Sequence, residues 1–196
     1  MQTNDDSPAV TPALGDDVAK EVLQWIGAFR LLSKATIISF NMQDYDFWGQ
    51  GRLSHLLLRQ IAYGAQITVM TTPPPGNDGK KQAFRDKLQL LEVLVAKGAE
   101  VYLNPDLHAK AYLFQDSQKS EMVIVGSPNL TSRGFGTKGS TTPDLIELAL
   151  LTGDELVYSS TAKLIETGLI ANPRTLTFAK WASNNRPTIA AARGAP

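Results

Sequence analysis

The sequence predicts an α/β fold built on a mixed, largely parallel β-sheet that is flanked by helices on both faces. Between residues 16 and 103, short apolar runs alternate with segments of helical periodicity, which is typical of β–α–β units. Two segments, YGAQITVMTTP at 63–73 and KGAEVYLNP at 97–105, repeat the order helix end, Gly-Ala, strand, proline. From Ala109 two strand-like runs flank the polar turn QDSQKSE, which predicts a hairpin and makes the sheet mixed.

The individual elements follow from the spacing of apolar residues and from the Gly and Pro residues between them. The expected helices cover residues 16–32, 52–62, 80–97 and 155–168. The expected strands cover residues 35–40, 66–70, 100–103, 109–114, 122–125 and 145–151. We expect a flexible acidic N-terminus over 1–15, one folded domain over 16–170 and a basic C-terminal extension over 171–196.

The composition argues against a membrane-spanning, secreted or disulfide-bonded protein. The 196 residues carry no net charge and 43% hydrophobic residues, which supports a packed core. No apolar run approaches the roughly 20 residues that cross a bilayer, and the acidic start does not resemble a signal peptide. Cysteine is absent, so neither disulfides nor thiolate metal sites form. These features favour a cytoplasmic protein without a membrane partner. The basic tail either contacts nucleic acid phosphates or is simply a solvated end.

A set of polar residues lies at the open end of the predicted hairpin. His108 and Lys110 are two residues apart, so they share one face of the strand. A turn centred near residues 117–118 places Lys110 opposite Val125 and His108 opposite Ser127, within a residue or two. Asn129 then returns beside His108. The hairpin therefore gathers an imidazole, an ammonium, a hydroxyl and an amide.

This set has the chemistry needed to attack phosphorus without a metal. Histidine can act as a nucleophile or a general acid, and a carboxylate can hold its second ring nitrogen. Lysine and asparagine donate hydrogen bonds to an oxyanion. Glu147 is a lone acid in the apolar run LIELALL and is a candidate to reach the same place. The catalytic candidates are His108, Lys110, Asn129 and Glu147.

His108-Ala-Lys110 followed by Gly126-Ser127-Pro128-Asn129 resembles the HxK…GSxN signature of the phospholipase D superfamily. Over about residues 16–168, the order of elements is similar to that of its small, single-motif, nuclease-like members. The resemblance implies a phospholipase D-like α/β/α sandwich and matches Glu147 to the family's downstream acid. The family's fuller motif has aspartate at the position of Gln115, with Asp116 here one residue later.

The resemblance also implies a mechanism and an oligomeric state. One histidine forms a phosphohistidine, a second protonates the leaving oxygen, and water resolves the intermediate. The other histidine of this chain, His55, is not followed by a lysine two residues later. We therefore expect a homodimer in which two His108 residues share one site.

The predicted function is a metal-independent phosphodiesterase that hydrolyses nucleic acid. A DNA endonuclease is favoured, alone or as the nuclease component of a restriction or defence assembly. The alternatives are a phospholipid phosphodiesterase and a non-catalytic nucleic-acid-binding subunit of this fold.

The expected substrate contacts are Ser127, Gly126, Phe47 and Trp48. Phe47 and Trp48 belong to a loop at the rim of the site, where their rings either stack on bases or simply pack against the rest of the protein. Asp44 and Asp46 in that loop lack further ligands for a metal, and we expect neither a metal nor a cofactor.

Overall fold

The computed structural model describes residues 10–27, 30–46, 49–75, 81–131 and 148–194. The strands are β1 Thr11–Leu14, β2 Leu32–Ser39, β3 Gln66–Thr71, β4 Glu100–Leu103, β5 Lys110–Asp116, β6 Glu121–Gly126, β7 Leu148–Thr152 and β8 Leu176–Thr177. The helices are α1 Gly15–Ile26, α2 Leu53–Ala62, α3 Lys81–Ala96, α4 Glu155–Leu164, α5 Phe178–Asn184 and α6 Arg186–Arg193, and a π-helical turn, Ile165–Ile170, follows α4. No helix of the described ranges combines the length and hydrophobicity needed to cross a bilayer.

One mixed sheet contains all eight of these strands, in the order β1-β7-β6-β5-β2-β3-β4-β8. The three neighbours β2, β3 and β4 are parallel, and the other described pairs are antiparallel. The predicted α/β class is confirmed. The antiparallel share of the sheet is larger than the sequence suggested. Only β2, β3 and β4 form a parallel unit, and the hairpin, β7 and the two edge strands all join the sheet in antiparallel pairs.

Helices cover both faces of the sheet, as predicted. On one face, alternate residues of β2 and β5, such as Ile37 and Phe114, join the core formed with α1, α2, α3, α5 and α6. On the other face, Ile38 and Leu113 pack with Tyr158 of α4 and Ile165 of the π-helical turn. Consecutive strand residues point to opposite faces, so two apolar layers need the near-continuous apolar strands seen in the sequence.

Residues 11–14 differ from expectation. They were predicted to belong to a flexible terminus, but they form edge strand β1, with Pro12 opposite Leu150 of β7. Proline has no N–H to donate and is tolerated at the edge of a sheet. The earlier part of the predicted acidic terminus, residues 1–9, lies outside the described residues.

The segment after Pro173 packs on the same sheet. Strand β8 pairs with β4, and Phe178, Trp181 and Ile189 are buried in the larger core. Two of the basic residues of this segment form ion pairs with acids elsewhere in the fold, Arg174 with Asp106 and Arg193 with Glu92. These two arginines are engaged within the chain, which weakens the argument for nucleic acid binding from the basic tail.

The β5–β6 hairpin forms with a register one residue from the estimate. Ala111 pairs with Val125, which puts Lys110 level with Gly126 rather than with Val125. At the turn, the buried Asp116 carboxylate accepts hydrogen bonds from the backbone N–H groups of Gln118 (2.9 Å) and Ser120 (2.8 Å). Asp116 thus organises the turn although the sequence has Gln115 at the position of the motif aspartate.

Candidate active site

Three of the four predicted catalytic residues, His108, Lys110 and Asn129, lie where β2 and β6 end and β5 begins. Lys110 begins β5 and pairs with Ser39, the last residue of β2. His108 lies two residues earlier, in the loop that leaves β4, and Ser127 follows the last residue of β6. Since β2 is antiparallel to β5, and β5 to β6, the carboxyl ends of β2 and β6 lie beside the start of β5.

Phe40 connects His108 and Lys110. Its ring lies 4.9 Å from the His108 ring, centroid to centroid, at an interplanar angle of 33°. The Lys110 Nζ lies 5.7 Å from the centroid of the same ring, a cation–π distance. Phe40 is 37% exposed, so the imidazole and the ammonium flank a ring that is open to solvent.

The side chain of Asn129 is held by Asn41, the residue that follows Phe40. Its Oδ1 accepts a hydrogen bond from the backbone N–H of Asn41 at 3.1 Å. The following residue, Leu130, donates its N–H to the buried Ser39 hydroxyl at 2.9 Å. The loop after β6 is thereby fixed against the end of β2. Since its Oδ1 is engaged with the backbone, the amide nitrogen of Asn129 is the group that can donate to a ligand.

The side chains of His108 and Lys110 keep their polar atoms available. Within the described ranges, the His108 ring nitrogens and the Lys110 Nζ make no hydrogen bond, and no carboxylate lies within 4.0 Å of that Nζ. His108 is exposed and Lys110 is half-buried. An unneutralised ammonium beside an exposed imidazole favours an anionic ligand.

Ser127 and Gly126 tie the site to β7. The Ser127 Oγ accepts a hydrogen bond from the Leu148 N–H at 3.1 Å, and the Ser127 N–H donates to the Leu148 carbonyl at 3.0 Å. A Cβ on Gly126 would lie 2.6 Å from the Cα of Ala149, so the close approach of β6 and β7 requires glycine. Leu148 directly follows Glu147, and both that acid and the predicted pair Phe47 and Trp48 lie outside the described residues.

The two acids in the loop after β2 have structural roles. The Asp44 carboxylate accepts hydrogen bonds from the N–H (2.9 Å) and the hydroxyl (3.0 Å) of Ser54, in the first turn of α2. Arg52 pairs with the same carboxylate at 3.5 Å, and Asp46 accepts from the Gly51 N–H. Among the described residues, no cluster of three His, Asp or Glu side chains is placed to hold a metal ion.

Asn104 fixes the loop that carries His108. Its N–H donates to the Thr71 carbonyl, its Oδ1 accepts from the Asp106 N–H at 2.8 Å, and its Nδ2 donates to Thr175 Oγ1 at 3.0 Å. The side chain is buried, so these bonds are shielded from water. The position of His108 therefore depends on the β8 side of the sheet as well as on the hairpin.

A cavity of about 1220 Å³ opens beside the site, and Phe40 and Asn41 belong to its wall. It lies beyond the carboxyl ends of β2, β3 and β4, where ligands bind in open α/β sheets. Lys87 of α3 lines it and is only 4% exposed. Burial lowers the pKa of this lysine to about 7.

Sequence reasoning missed Phe40, Asn41 and Lys87. Phe40 ends the apolar run ATIISF, so a position at the end of a strand could have indicated it. Lys87 sits three residues after Phe84 and four before Leu91, both on the apolar face of α3, and a cation on that face is a recognisable signal.

Solved structures share this fold. The chain is similar to Nuc, a phospholipase D family member from Salmonella typhimurium, with a TM-score of 0.59 and 12% identity over 88% of this chain and 99% of that chain. It is also similar to phosphatidylserine synthase from Haemophilus influenzae, with a TM-score of 0.60 and 13% identity over 86% of this chain and 40% of that chain. No family model matches the sequence, and no curated protein matches it. The chain therefore has the fold of phospholipase D family members.

Proposed function

We propose that the protein is a phosphodiesterase that cleaves nucleic acid, DNA in particular, through a phosphohistidine formed on His108, without a metal. The observation that carries the proposal is the convergence of His108 and Lys110 on Phe40, with Asn129 hydrogen-bonded to the adjacent Asn41. The imidazole and the ammonium are free of other partners among the described residues. The sequence resemblance and the shared fold support the same reaction class.

The chemistry follows from these groups. A His108 ring nitrogen attacks phosphorus, and the bond from phosphorus to the leaving oxygen breaks while a second imidazole gives that oxygen a proton. The Lys110 ammonium and the Asn129 amide donate to the phosphoryl oxygens, which gather negative charge in the transition state. Water then attacks phosphorus and gives a proton to the second imidazole, which is now neutral, and the bond from nitrogen to phosphorus breaks to release His108.

We infer that the second imidazole is His108 of another copy of the chain. An exposed apolar patch next to the site supports this homodimer: Val125, Leu148 and Leu150 are 47%, 54% and 51% exposed. Val125 and Leu150 are paired across β6 and β7, so they share one face of the sheet. The backbone of Leu148 is hydrogen-bonded to Ser127 at the edge of the site. Apolar side chains grouped on one surface are typical of protein interfaces.

The activity is tested with single- and double-stranded DNA, RNA, phospholipid vesicles and a small aryl phosphodiester, all in EDTA. We expect cleavage of nucleic acid and of the aryl diester by the wild-type chain, and none by His108→Ala. A requirement for Mg²⁺ would contradict the phosphohistidine. Cleavage of the phospholipid alone would establish the lipid alternative, and DNA binding without any cleavage would establish the non-catalytic one.

The shared site is tested by mixing wild-type and His108→Ala chains at varied ratios after exchange of subunits. If both imidazoles of a dimer are needed, activity follows the square of the wild-type fraction, whereas independent sites give a linear dependence. Leu150→Asp should yield monomers by analytical ultracentrifugation, with loss of activity. Active monomers would contradict the shared site. Nothing described here bears on a restriction or defence assembly, which stays a prediction from the sequence.

A further inference from the structure

The cavity beside the site contains an unneutralised buried cation. Lys87 projects from the core-facing side of α3, and its Nζ donates a hydrogen bond to Thr72 Oγ1 at 3.0 Å. Within the described part of the chain, no carboxylate lies within 4.0 Å of this ammonium. A charged group withdrawn from water without a counterion is unfavourable, so the site gains stability when an anion enters.

The hydrogen bonds of Thr72 connect this lysine to the active site. The Thr72 hydroxyl donates to the Phe40 carbonyl oxygen at 2.8 Å, and the Phe40 ring contacts His108. With its proton committed to Phe40 and its oxygen accepting from Lys87, the hydroxyl holds the ammonium in one place. Among the described residues the two other N–H groups of that ammonium have no acceptor, so they remain for a ligand.

The lining favours a nucleotide over a lipid chain. The volume of about 1220 Å³ exceeds what one nucleotide needs. Apolar walls from Leu58, Leu90 and Val93 can pack against a base or a sugar. Polar side chains that can bond to base edges belong to the same lining, such as His55 and Gln89. An acyl chain offers no hydrogen bond to these side chains or to Lys87.

We propose that this cavity is a nucleotide subsite in which the Lys87 ammonium, held by Thr72, binds the phosphate next to the one that is cleaved. This assignment rests on the proposed nucleic acid phosphodiesterase activity. Phe40 and Asn41 belong to both the site and the cavity wall, so a strand that crosses Phe40 places consecutive phosphates at His108 and at Lys87. The subsite makes the enzyme prefer polynucleotides to small diesters.

The first test compares substrates of two sizes. Lys87→Met keeps an unbranched side chain that is one atom shorter and removes the charged nitrogen, and Lys97→Met makes the same change at an exposed position just after α3. For a short oligothymidylate, we expect Lys87→Met to raise KM about ten- to hundredfold, the usual effect of losing a hydrogen bond to a charged group. For a small aryl phosphodiester, which does not reach the cavity, kcat and KM should not change. Lys97→Met should match the wild type on both.

Two outcomes would overturn the assignment. Equal loss with both substrates would mean that Lys87 acts on His108 through Thr72 and Phe40 and binds no phosphate. No effect with either would mean that the cavity does not receive the strand. Thermal unfolding of Lys87→Met verifies that the variant is folded, and Thr72→Val, which removes the hydroxyl that holds the ammonium, should raise KM for the oligothymidylate in the same direction.

The second test measures binding without turnover, in the His108→Ala background. Because a bound phosphate stabilises the charged form of Lys87, affinity for oligothymidylate should be highest below pH 7 and fall as the pH rises above 7, by at most tenfold per unit. Asp44, Tyr45, Arg52, His55 and Asp86 are the other charged or titratable groups lining the cavity. The pH dependence must therefore disappear in the double variant with Lys87→Met, and its persistence would refute the assignment.

Binding also separates the two proposals. If the wild-type chain cleaves nothing but oligothymidylate binds in a Lys87-dependent way, the subsite stands and the phosphodiesterase proposal fails. If cleavage depends on His108 and oligothymidylate binding does not depend on Lys87, the phosphodiesterase proposal stands and the subsite fails. Binding of anionic phospholipid vesicles, with no binding of oligothymidylate, would overturn the nucleotide assignment.

Discussion

The two ends of the β5–β6 hairpin differ in how their polar groups are used. At the turn, the Asp116 carboxylate accepts two backbone hydrogen bonds, and the Gln115 amide donates to Glu121 at 2.7 Å. At the open end, the side chains of His108 and Lys110 contact a phenyl ring and make no hydrogen bond among the described residues. Polar groups of the first kind stabilise the fold, whereas those of the second kind are available to a ligand.

The substitution with the largest expected effect on the cleavage rate is at the open end of the hairpin. His108→Ala removes the proposed nucleophile, so we expect the cleavage rate in EDTA to fall by about 10³-fold or more. Since His108 is exposed and lacks hydrogen bonds in the described structure, the free energy of unfolding should change by less than about 0.5 kcal/mol. Rate assays and urea denaturation of the same preparation measure both. A large loss of stability would mean that His108 supports the fold.

The opposite pattern is expected at the turn. Asp116→Ala removes two buried hydrogen bonds to backbone N–H groups, which should lower the free energy of unfolding by about 2–3 kcal/mol. The cleavage rate per folded molecule should stay within about twofold of the wild type, because the turn lies at the far end of the strands from His108. Ser117→Ala, on the exposed side of the same turn, serves as the control. A selective loss of activity in Asp116→Ala would contradict the division of roles.

Lys87 sharpens the comparison, because it is an ionisable group in a buried position. Its pKa is about 7 in the folded chain against an ordinary value of 10.5, so between these values the unfolded chain binds more protons. The free energy of unfolding should therefore rise with pH from about 7 to 9, by up to about 1.4 kcal/mol per unit from this group. Lys87→Met should remove that rise while Lys97→Met keeps it, as measured by urea denaturation across the range. Equal slopes in both variants would show that Lys87 is charged throughout.

The elements of the fold were largely predictable because buried strands and amphipathic helices leave strong periodic signals. Helices α2, α3 and α4 and the β5–β6 hairpin lie close to their predicted bounds, whereas α5 and α6 fall in the segment predicted only as a basic extension. Strand β1 was missed, because four residues containing Pro12 give no such signal and gain their place only by pairing with β7. The first helix was predicted six residues too long, because Leu32 matches its apolar spacing but begins β2.

The candidate site was predictable where chemistry and spacing coincide, as in His108, Lys110 and Asn129. The contribution of Phe40 is a contact between distant parts of the chain, and it could be located only once β2 had been paired with β5. The sequence did not show how the turn is held with Gln115 at the position of the motif aspartate. In the structure Asp116 does this, because its carboxylate accepts two backbone hydrogen bonds in the turn.

The central claim is that His108 carries the phosphoryl group during the reaction. Wild-type protein is mixed with oligothymidylate in EDTA, quenched in alkali during the first turnover, and digested for mass spectrometry under conditions that preserve phosphoramidates. We expect an acid-labile nucleotide adduct on the peptide that contains His108, and no adduct in His108→Ala. Cleavage without any adduct on that peptide, or an adduct on another residue, would contradict this claim.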